Sequence, residues 1–192
     1  EPKKGITDEQ KQELDECFAR ARKALAVIET YDQARVDRLC QAVAWAVANK
    51  KTFTRLVEEG IAESGLGDPV SRMGKRMKIR GVLRDALRQK SVGVIEEIPE
   101  KGIVKYGKPV GIIACIVPTT NPDLTPAGNA IYGIKARDVV IFSPHPRSKK
   151  TEFPSALSYA AIPVRTQTSY PAAAAAIASA SGEGSGPRAR VT

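Results

Sequence analysis

The stretch that decides the fold of this 192-residue chain is residues 110–148, VGIIACIVPTTNPDLTPAGNAIYGIKARDVVIFSPHPRS. Residues 111–117 are an uninterrupted apolar run of strand length, which is typical of a strand buried on both faces of a sheet. Residues 124–135 have room for about three helical turns, and residues 139–142 are a second short apolar strand. This order predicts a strand–helix–strand unit, which requires a parallel sheet and a right-handed crossover.

Polar turns follow both predicted strands. Asn121 comes after the first strand, and residues 143–146 come after the second. Ligands of open parallel sheets bind beyond the carboxyl ends of the strands, so we expect the functional edge of the molecule there. A purely structural role is also open for this turn. Asn121 is a good N-cap, and Pro122 suits the first position of a helix, where no backbone N–H is needed.

The two turn motifs together resemble a known family. VPTTNP at residues 117–122 and VVIFSPHPRSK at residues 139–149 are similar to the aldehyde dehydrogenase superfamily, most of all its coenzyme A-acylating branch. That branch includes acylating sulfoacetaldehyde dehydrogenases and the dehydrogenase half of bifunctional alcohol/aldehyde enzymes. The TTNP sequence, where hydrolytic relatives have an aromatic residue before the Asn, favours the acylating branch. A hydrolytic or semialdehyde dehydrogenase remains an alternative within the same class.

The resemblance implies an α/β fold that is truncated. Residues 6–150 would be an incomplete NAD(P)-binding domain with a helical N-terminal layer (residues 6–90), a strand pair that forms an oligomerisation flap (residues 91–108) and a βαβ core (residues 109–150) of a Rossmann-like parallel sheet. Residues 151–192 are rich in Ala, Ser, Gly and Pro, a low-complexity composition that predicts a disordered or frame-shifted tail. A genuine alternative C-terminus is the other interpretation of this tail.

The resemblance also implies roles for individual residues. Asn121 matches the position whose side-chain amide donates a hydrogen bond to the developing oxyanion. The residues that match the cofactor-binding turns are Ile116, Val117, Pro118 and Thr119 on the nicotinamide side, and Ser143, Pro144 and His145 on the adenosine side. Hydrolytic relatives commonly have a Lys at about the position of Ser143, so this departure leaves the choice between NAD and NADP open.

The nucleophile of the resembling enzymes is a Cys that lies well downstream, in a catalytic domain that we do not find in this sequence. Cys115 lies inside the apolar run, where burial makes a thiol unreactive, and Cys17 and Cys40 fall on apolar helix stripes. We therefore expect the parent enzyme to convert an aldehyde, either acetaldehyde or sulfoacetaldehyde, to its acyl-CoA with NAD or NADP and coenzyme A. We expect this chain alone to be inactive.

The formal charge of +9 raises the possibility of an acidic partner. Much of the excess lies in one helical stretch, residues 72–90, which contains Arg72, Lys75, Arg76, Lys78, Arg80, Arg84, Arg88 and Lys90. The alternative function is therefore a non-catalytic helical module that binds an acidic protein or nucleic acid through this stretch. No helix-turn-helix, zinc finger or aromatic RNA-binding signature accompanies it, so we do not expect a nucleic-acid partner.

Composition and sequence pattern also predict the localisation, the absence of disulfide and metal sites, and the oligomeric state. No apolar run of membrane-spanning length or signal segment is present in the sequence, which predicts a cytoplasmic protein without a membrane partner. Three Cys without a CxxC motif predict neither a disulfide framework nor a metal site. The exposed edge expected for residues 91–106 predicts a homo-oligomer.

Four amphipathic helices are expected before residue 90. The first begins with a capping box formed by Thr7 and Gln10, and Asp32 caps the second. The fourth starts at Asp68 as one continuous helix whose apolar residues face inward. Those residues are Met73, Met77, Leu83 and Leu87. Trp45 lies off the stripe of the second helix, where it would contact a neighbouring element.

Overall fold

Helices fill the first half of residues 5–148, the part of the chain that the computed structural model describes. The helices are α1 (Asp8–Ile28), α2 (Gln33–Ala48), α3 (Lys50–Ser64), α4 (Pro69–Gly74), α5 (Arg76–Arg88) and α6 (Thr125–Ala136). The strands are β1 (Gly93–Ile98), β2 (Ile103–Gly107), β3 (Ile112–Ile116) and β4 (Val139–Ser143). The predicted low-complexity tail, residues 151–192, lies outside the described residues.

The predicted starts of the first two helices are confirmed. Thr7 and Gln10 form the capping box, with the Gln10 N–H donating to Thr7 Oγ1 and the Thr7 N–H donating to Gln10 Oε1. Asp32 accepts a hydrogen bond from the backbone N–H of Arg35 at 2.7 Å. These caps satisfy N–H groups that have no partner inside the helix, so the helical boundaries follow from local chemistry.

The predicted single basic helix is wrong in its continuity, because the structure divides it into α4 and α5 at Lys75. The buried face also differs from the predicted apolar stripe. Met77, expected inside, is 59% exposed, whereas Ile79 is fully buried. Arg72, expected on a solvated basic face, is 2% exposed. Trp45 is 73% exposed, so the contact predicted for it is not made within residues 5–148.

The two sheets differ in direction. β1 and β2 pair antiparallel from Gly93↔Gly107 to Ile98↔Ile103, which confirms the predicted strand–turn–strand. β3 and β4 pair parallel, with Ile112 opposite Val139 and Ile116 opposite Ser143, and α6 connects them. The predicted strand–helix–strand unit with a parallel sheet is confirmed.

Helices cover both faces of the parallel sheet. On one face, Val140 and Phe142 join the main core formed by α2, α3, α5 and α6. On the other face, Val139 and Ile141 pack against α1. β4 is buried along its whole length. The prediction that β3 is buried on both faces is wrong at its carboxyl half: Ala114 and Ile116 are exposed, because they lie beyond the apolar cluster formed with α1.

Candidate functional site

The turns that follow β3 and β4 leave from the same edge of the parallel sheet. Ile116 and Ser143 are neighbours in register, and the Val117 N–H donates to the Ser143 carbonyl oxygen at 3.0 Å. The structure thus brings together the first predicted residue of each cofactor-binding turn. Pro118 and Thr119 continue from β3, as Pro144 and His145 continue from β4. The side chain of Ile116 is 39% exposed at this edge.

Asn121 does not cap the helix that follows it. α6 begins at Thr125 after Leu124, has no side-chain cap and carries a proline, Pro126, in its first turn. Only the backbone of Asn121 contributes, since its carbonyl oxygen accepts from the Thr125 N–H at 3.1 Å. The capping interpretation of Asn121 and the placement of Pro122 at the first helical position are therefore wrong. The side chain of Asn121 is left for another role.

Lys75, at the break between α4 and α5, holds that side chain. Its Nζ donates to Asn121 Oδ1 at 2.7 Å and to the Thr120 carbonyl oxygen at 3.1 Å. Asn121 Nδ2 lies 3.3 Å from Thr120 Oγ1, to which it donates. The amide oxygen is therefore occupied by a cation, and the amide nitrogen is the end that can donate to a ligand.

A second cation, Arg72 of α4, contacts Asp123 at the end of the turn that carries Asn121. Arg72 Nη1 lies 3.8 Å from Asp123 Oδ2, and both side chains are buried. Arg72 Nη2 also donates to Ser64 Oγ at 3.4 Å, which ties the pair to the end of α3. Burying such a pair is costly, and Arg72 Nη1 and Asp123 Oδ2 have no hydrogen-bond partner within residues 5–148. We infer that these charges serve to fix the turn that carries Asn121.

The turn after β4 is held mainly by its own backbone. The Arg147 N–H donates to His145 Nδ1 at 3.1 Å, and the Ser148 N–H donates to the His145 carbonyl oxygen at 3.0 Å. The guanidinium of Arg147 reaches the Ser64 carbonyl oxygen at 3.2 Å. His145 thus has a structural part in a rigid turn, which agrees with its two flanking prolines. Ser64 links both turns to the helical layer.

Two buried hydroxyl groups at this edge lack hydrogen-bond partners within residues 5–148. They are Thr119 Oγ1 and Ser143 Oγ, one in each turn. A buried hydroxyl without a partner is destabilising, so each group needs a ligand or protein atom beyond those described. Both residues belong to the predicted cofactor-binding set. The exposed apolar side chain of Ile116 beside these turns suits the flat rings of a nucleotide.

The electrostatics of the edge centre on Lys75. Its partial burial lowers its pKa below the usual value, while the nearby carboxylate of Asp123 acts in the opposite direction and the cations Arg72 and Lys78 reinforce the lowering. The cluster around Asn121 was missed at the sequence level. A Lys beside a helix break was its only signal.

No activated thiol is present in the described part of the chain. Burial raises the pKa of Cys40 to about 11 and also raises the pKa of Cys17. Cys115 is 5% exposed, and its sulfur accepts from Asn129 Nδ2 at 2.8 Å. A thiolate nucleophile needs the opposite surroundings, namely exposure and a lowered pKa. Within residues 5–148, no group of three or more metal-ligating side chains occurs and no helix is long and apolar enough to cross a membrane.

Known proteins are similar to this chain in sequence and in fold. No family model matches the chain. The sulfoacetaldehyde dehydrogenase (acylating) of Bilophila wadsworthia is 41% identical over 139 residues, which are 72% of this chain and 30% of that protein. The crystal structure of an acetylating aldehyde dehydrogenase from Geobacillus thermoglucosidasius superimposes with a TM-score of 0.76 at 26% identity, covering 87% of this chain and 40% of that one. The matched part of this chain is homologous to acylating aldehyde dehydrogenases.

The acylating aldehyde dehydrogenases, oxidoreductases that act on aldehydes, are much longer than this chain. It spans 30% of the length of the Bilophila protein and 40% of the Geobacillus protein. An engineered glycolyl-CoA reductase with bound NADP+ has the same fold, with a TM-score of 0.60 at 22% identity, covering 79% of this chain and 35% of that one. The family resemblance and the partial α/β fold expected from the sequence are thereby confirmed.

Proposed function

We propose that this chain is the NAD(P)-binding portion of a coenzyme A-acylating aldehyde dehydrogenase. The observation that carries the proposal is the amide of Asn121 in the turn after a parallel strand, with its oxygen held by Lys75 and its nitrogen left as the donor. A neutral amide donor stabilises a transient oxyanion without acting as a base toward the substrate. The parent enzyme would oxidise an aldehyde and transfer its acyl group to coenzyme A.

The cofactor site that we propose lies between the two turns. Ile116, Val117, Pro118 and Thr119 would contact the nicotinamide side, and Ser143, Pro144 and His145 would contact the adenosine side. Its support is the position of the two turns at one edge of the parallel sheet and the exposed face of Ile116. When bound, NAD or NADP accepts the hydride in this class of reaction. The residues of this chain bind and orient it and keep water from the buried side of the sheet.

The chemistry that this chain lacks would come from the remainder of the parent. The described thiols are buried, so neither Cys17, Cys40 nor Cys115 is offered as the nucleophile that forms the thioester. The same absence leaves coenzyme A without a reaction partner here. We expect no turnover of acetaldehyde or sulfoacetaldehyde when this chain is supplied with NAD and coenzyme A.

The strand pair β1–β2 is the part that we propose for self-association. It exposes Ile95, Val104 and Tyr106, and its outer edges are not paired within residues 5–148. Exposed apolar side chains on an open edge favour addition of another strand or sheet. We expect sedimentation velocity to show a dimer or larger species, and Tyr106→Asp to shift the distribution towards monomer.

The decisive test is binding of the nicotinamide cofactor to the chain itself. Titration of the 15N-labelled 192-residue chain with NAD+ and with NADP+ is expected to shift backbone amide signals of residues 114–120 and 142–146. Ile116→Glu, which places a charge on the exposed apolar contact, should raise the dissociation constant at least about tenfold, because a pocket of this kind relies on a few well-placed groups.

Val27→Glu is the matched control, since Val27 is also exposed but lies on α1, away from both turns. It should change the dissociation constant less than about twofold. The proposal would be wrong if neither dinucleotide shifted these signals at millimolar concentration. Shifts centred on residues 76–90 instead would favour the alternative of a basic helical module.

A further inference from the structure

We propose that Lys75 is the positioning residue of this site: its ammonium group fixes the side-chain amide of Asn121 in the one orientation that presents nitrogen, and not oxygen, to an oxyanion. The inference rests on the proposed function, because it concerns the same amide. It assigns a catalytic purpose to a residue of the helical layer that is 46 positions away in the chain.

The contact is selective for one end of the amide. Asn121 Oδ1 lies 2.7 Å from Lys75 Nζ. An ammonium group is a donor only, so a flipped amide would place its own N–H groups against a cation and lose the hydrogen bond. In a free side chain the two orientations are nearly equivalent in shape. The cation therefore decides which one is populated.

The donor that results is not fully used inside the chain. Asn121 Nδ2 has two N–H bonds, and one of them is directed to Thr120 Oγ1 at 3.3 Å. Within residues 5–148, Nδ2 donates to no second acceptor. One N–H bond is consequently left for a ligand, as a donor to an oxyanion requires. The adjacent positive charge also polarises the amide and strengthens this donor.

The backbone is arranged to deliver the lysine. Lys75 lies between α4 and α5 and keeps helical backbone angles (φ −64°, ψ −22°), while the N–H groups of Lys75 and Lys78 bond three residues back and tighten the chain at this residue. Its second hydrogen bond, to the Thr120 carbonyl oxygen, fixes the position of the ammonium group relative to the turn. Arg72, one turn earlier, meets Asp123 at the other end of the same turn. The two cations together hold both sides of Asn121.

The experiment follows the 13Cγ resonance of Asn121 in the complete 13C,15N-labelled chain, assigned by its loss in Asn121→Ala. Lys75→Met is expected to move this resonance, and the two side-chain N–H signals, towards the values of an unrestrained Asn. Lys75→Arg keeps a cationic donor and should restore most of the wild-type shift. Lys90→Met is the matched control, because Lys90 is an exposed Lys that follows the end of α5, and it should leave the resonance unchanged.

A pH titration separates positioning from mere structural support. The charged groups that act on Lys75 are Asp123, Arg72 and Lys78, and its partial burial dominates over them to lower its pKa. The 13Cγ resonance of Asn121 should therefore titrate with a midpoint below that of an ordinary Lys, and Lys75→Met should abolish the titration. A residue that only stabilised the fold would change the melting temperature without producing this signature.

The inference is overturned if Lys75→Met leaves the Asn121 resonance in place, or if the titration persists in that variant. This outcome is independent of cofactor binding. A chain that binds NAD but lacks the Asn121 signature would refute the role of Lys75 alone. A chain that shows the signature but binds no dinucleotide would refute the proposed function and leave the contact standing.

Discussion

The two sheets of this protein have the same number of described strands and opposite surroundings. Strands β1 and β2, with sequences GVIEEI and IVKYG, leave most of their side chains exposed. Strand β4, VVIFS, is buried throughout, and β3, IIACI, is partly buried against it. Charged residues on adjacent positions in β1 and an uninterrupted apolar run in β4 account for this difference, since only the latter can be covered on both faces.

The two sheets also differ in what stabilises them. The parallel sheet is held by helices of the same chain, with α1 on one face and α6 on the other. Within residues 5–148, no helix covers the antiparallel pair in this way. A sheet of only two strands is marginally stable on its own in water. The candidate site lies at the edge of the self-sufficient sheet, whereas the exposed sheet offers a surface to a partner. Mutations that compare equivalent positions of the two sheets can test this division.

The largest effect is expected from removing a buried side chain of the parallel sheet. Ile141 of β4 packs against α1 and is 9% exposed. Ile141→Ala should lower the free energy of unfolding by about 2 to 4 kcal/mol, through lost burial and the cavity that remains. Urea unfolding followed by circular dichroism measures this change.

Val104→Ala in β2 is the counterpart, because Val104 is 47% exposed. At a protein concentration low enough to keep the chain monomeric, its cost should stay below about 0.5 kcal/mol, as is usual for surface positions. Equal losses in the two variants would mean that the antiparallel pair is covered in solution. Repeating the measurement at several protein concentrations would then show whether a second copy of the chain provides that cover.

A smaller effect is expected where α6 meets the parallel sheet. A Cβ atom on Gly133 would run into Val140, whereas one on Gly128 of the same helix would meet nothing nearby. Gly133→Ala should therefore destabilise the chain by about 1 to 3 kcal/mol through overpacking. Gly128→Ala should stabilise it by up to about 1 kcal/mol, because Ala is the better helix former. Thermal melting of the two variants checks the opposite signs, and a gain in both would contradict the close approach of α6 to β4.

Much of the fold was accessible from sequence because it is locally encoded. The capping box at Thr7, the cap at Asp32 and the apolar runs of β3 and β4 each depend on residues that are close together in the chain. The site edge followed from the same patterns, since parallel strands that end in polar turns place those turns together.

The remainder depended on contacts between distant residues. Nothing in the sequence near Asn121 indicates that its amide oxygen is held by Lys75, or that Arg72 turns inward to meet Asp123. The break between α4 and α5 was missed because Met73, Met77, Leu83 and Leu87 fit a continuous amphipathic pattern. A residue type that suits an N-cap, such as Asn121, does not reveal that a later residue starts the helix.

The smallest effect is expected for an exposed ion pair of the antiparallel sheet, which we compare with a more buried pair between α2 and α6. Lys105 of β2 pairs with Glu96 of β1 on the surface, with both side chains about half exposed. Lys105→Met should cost no more than about 0.5 kcal/mol, and the difference should disappear in 1 M salt, because exposed pairs are weak and screened. Lys135 of α6 pairs with Asp37 of α2 at a side-chain exposure of 6% and 28%. Lys135→Met should cost about 1 to 3 kcal/mol and keep most of that cost in salt, since it leaves a carboxylate with one neutral donor, Gln33. If salt removed both effects alike, the contact between α2 and α6 would be as open to solvent as the antiparallel pair. The site could then not be assigned to a sheet that is supported by helices of its own chain.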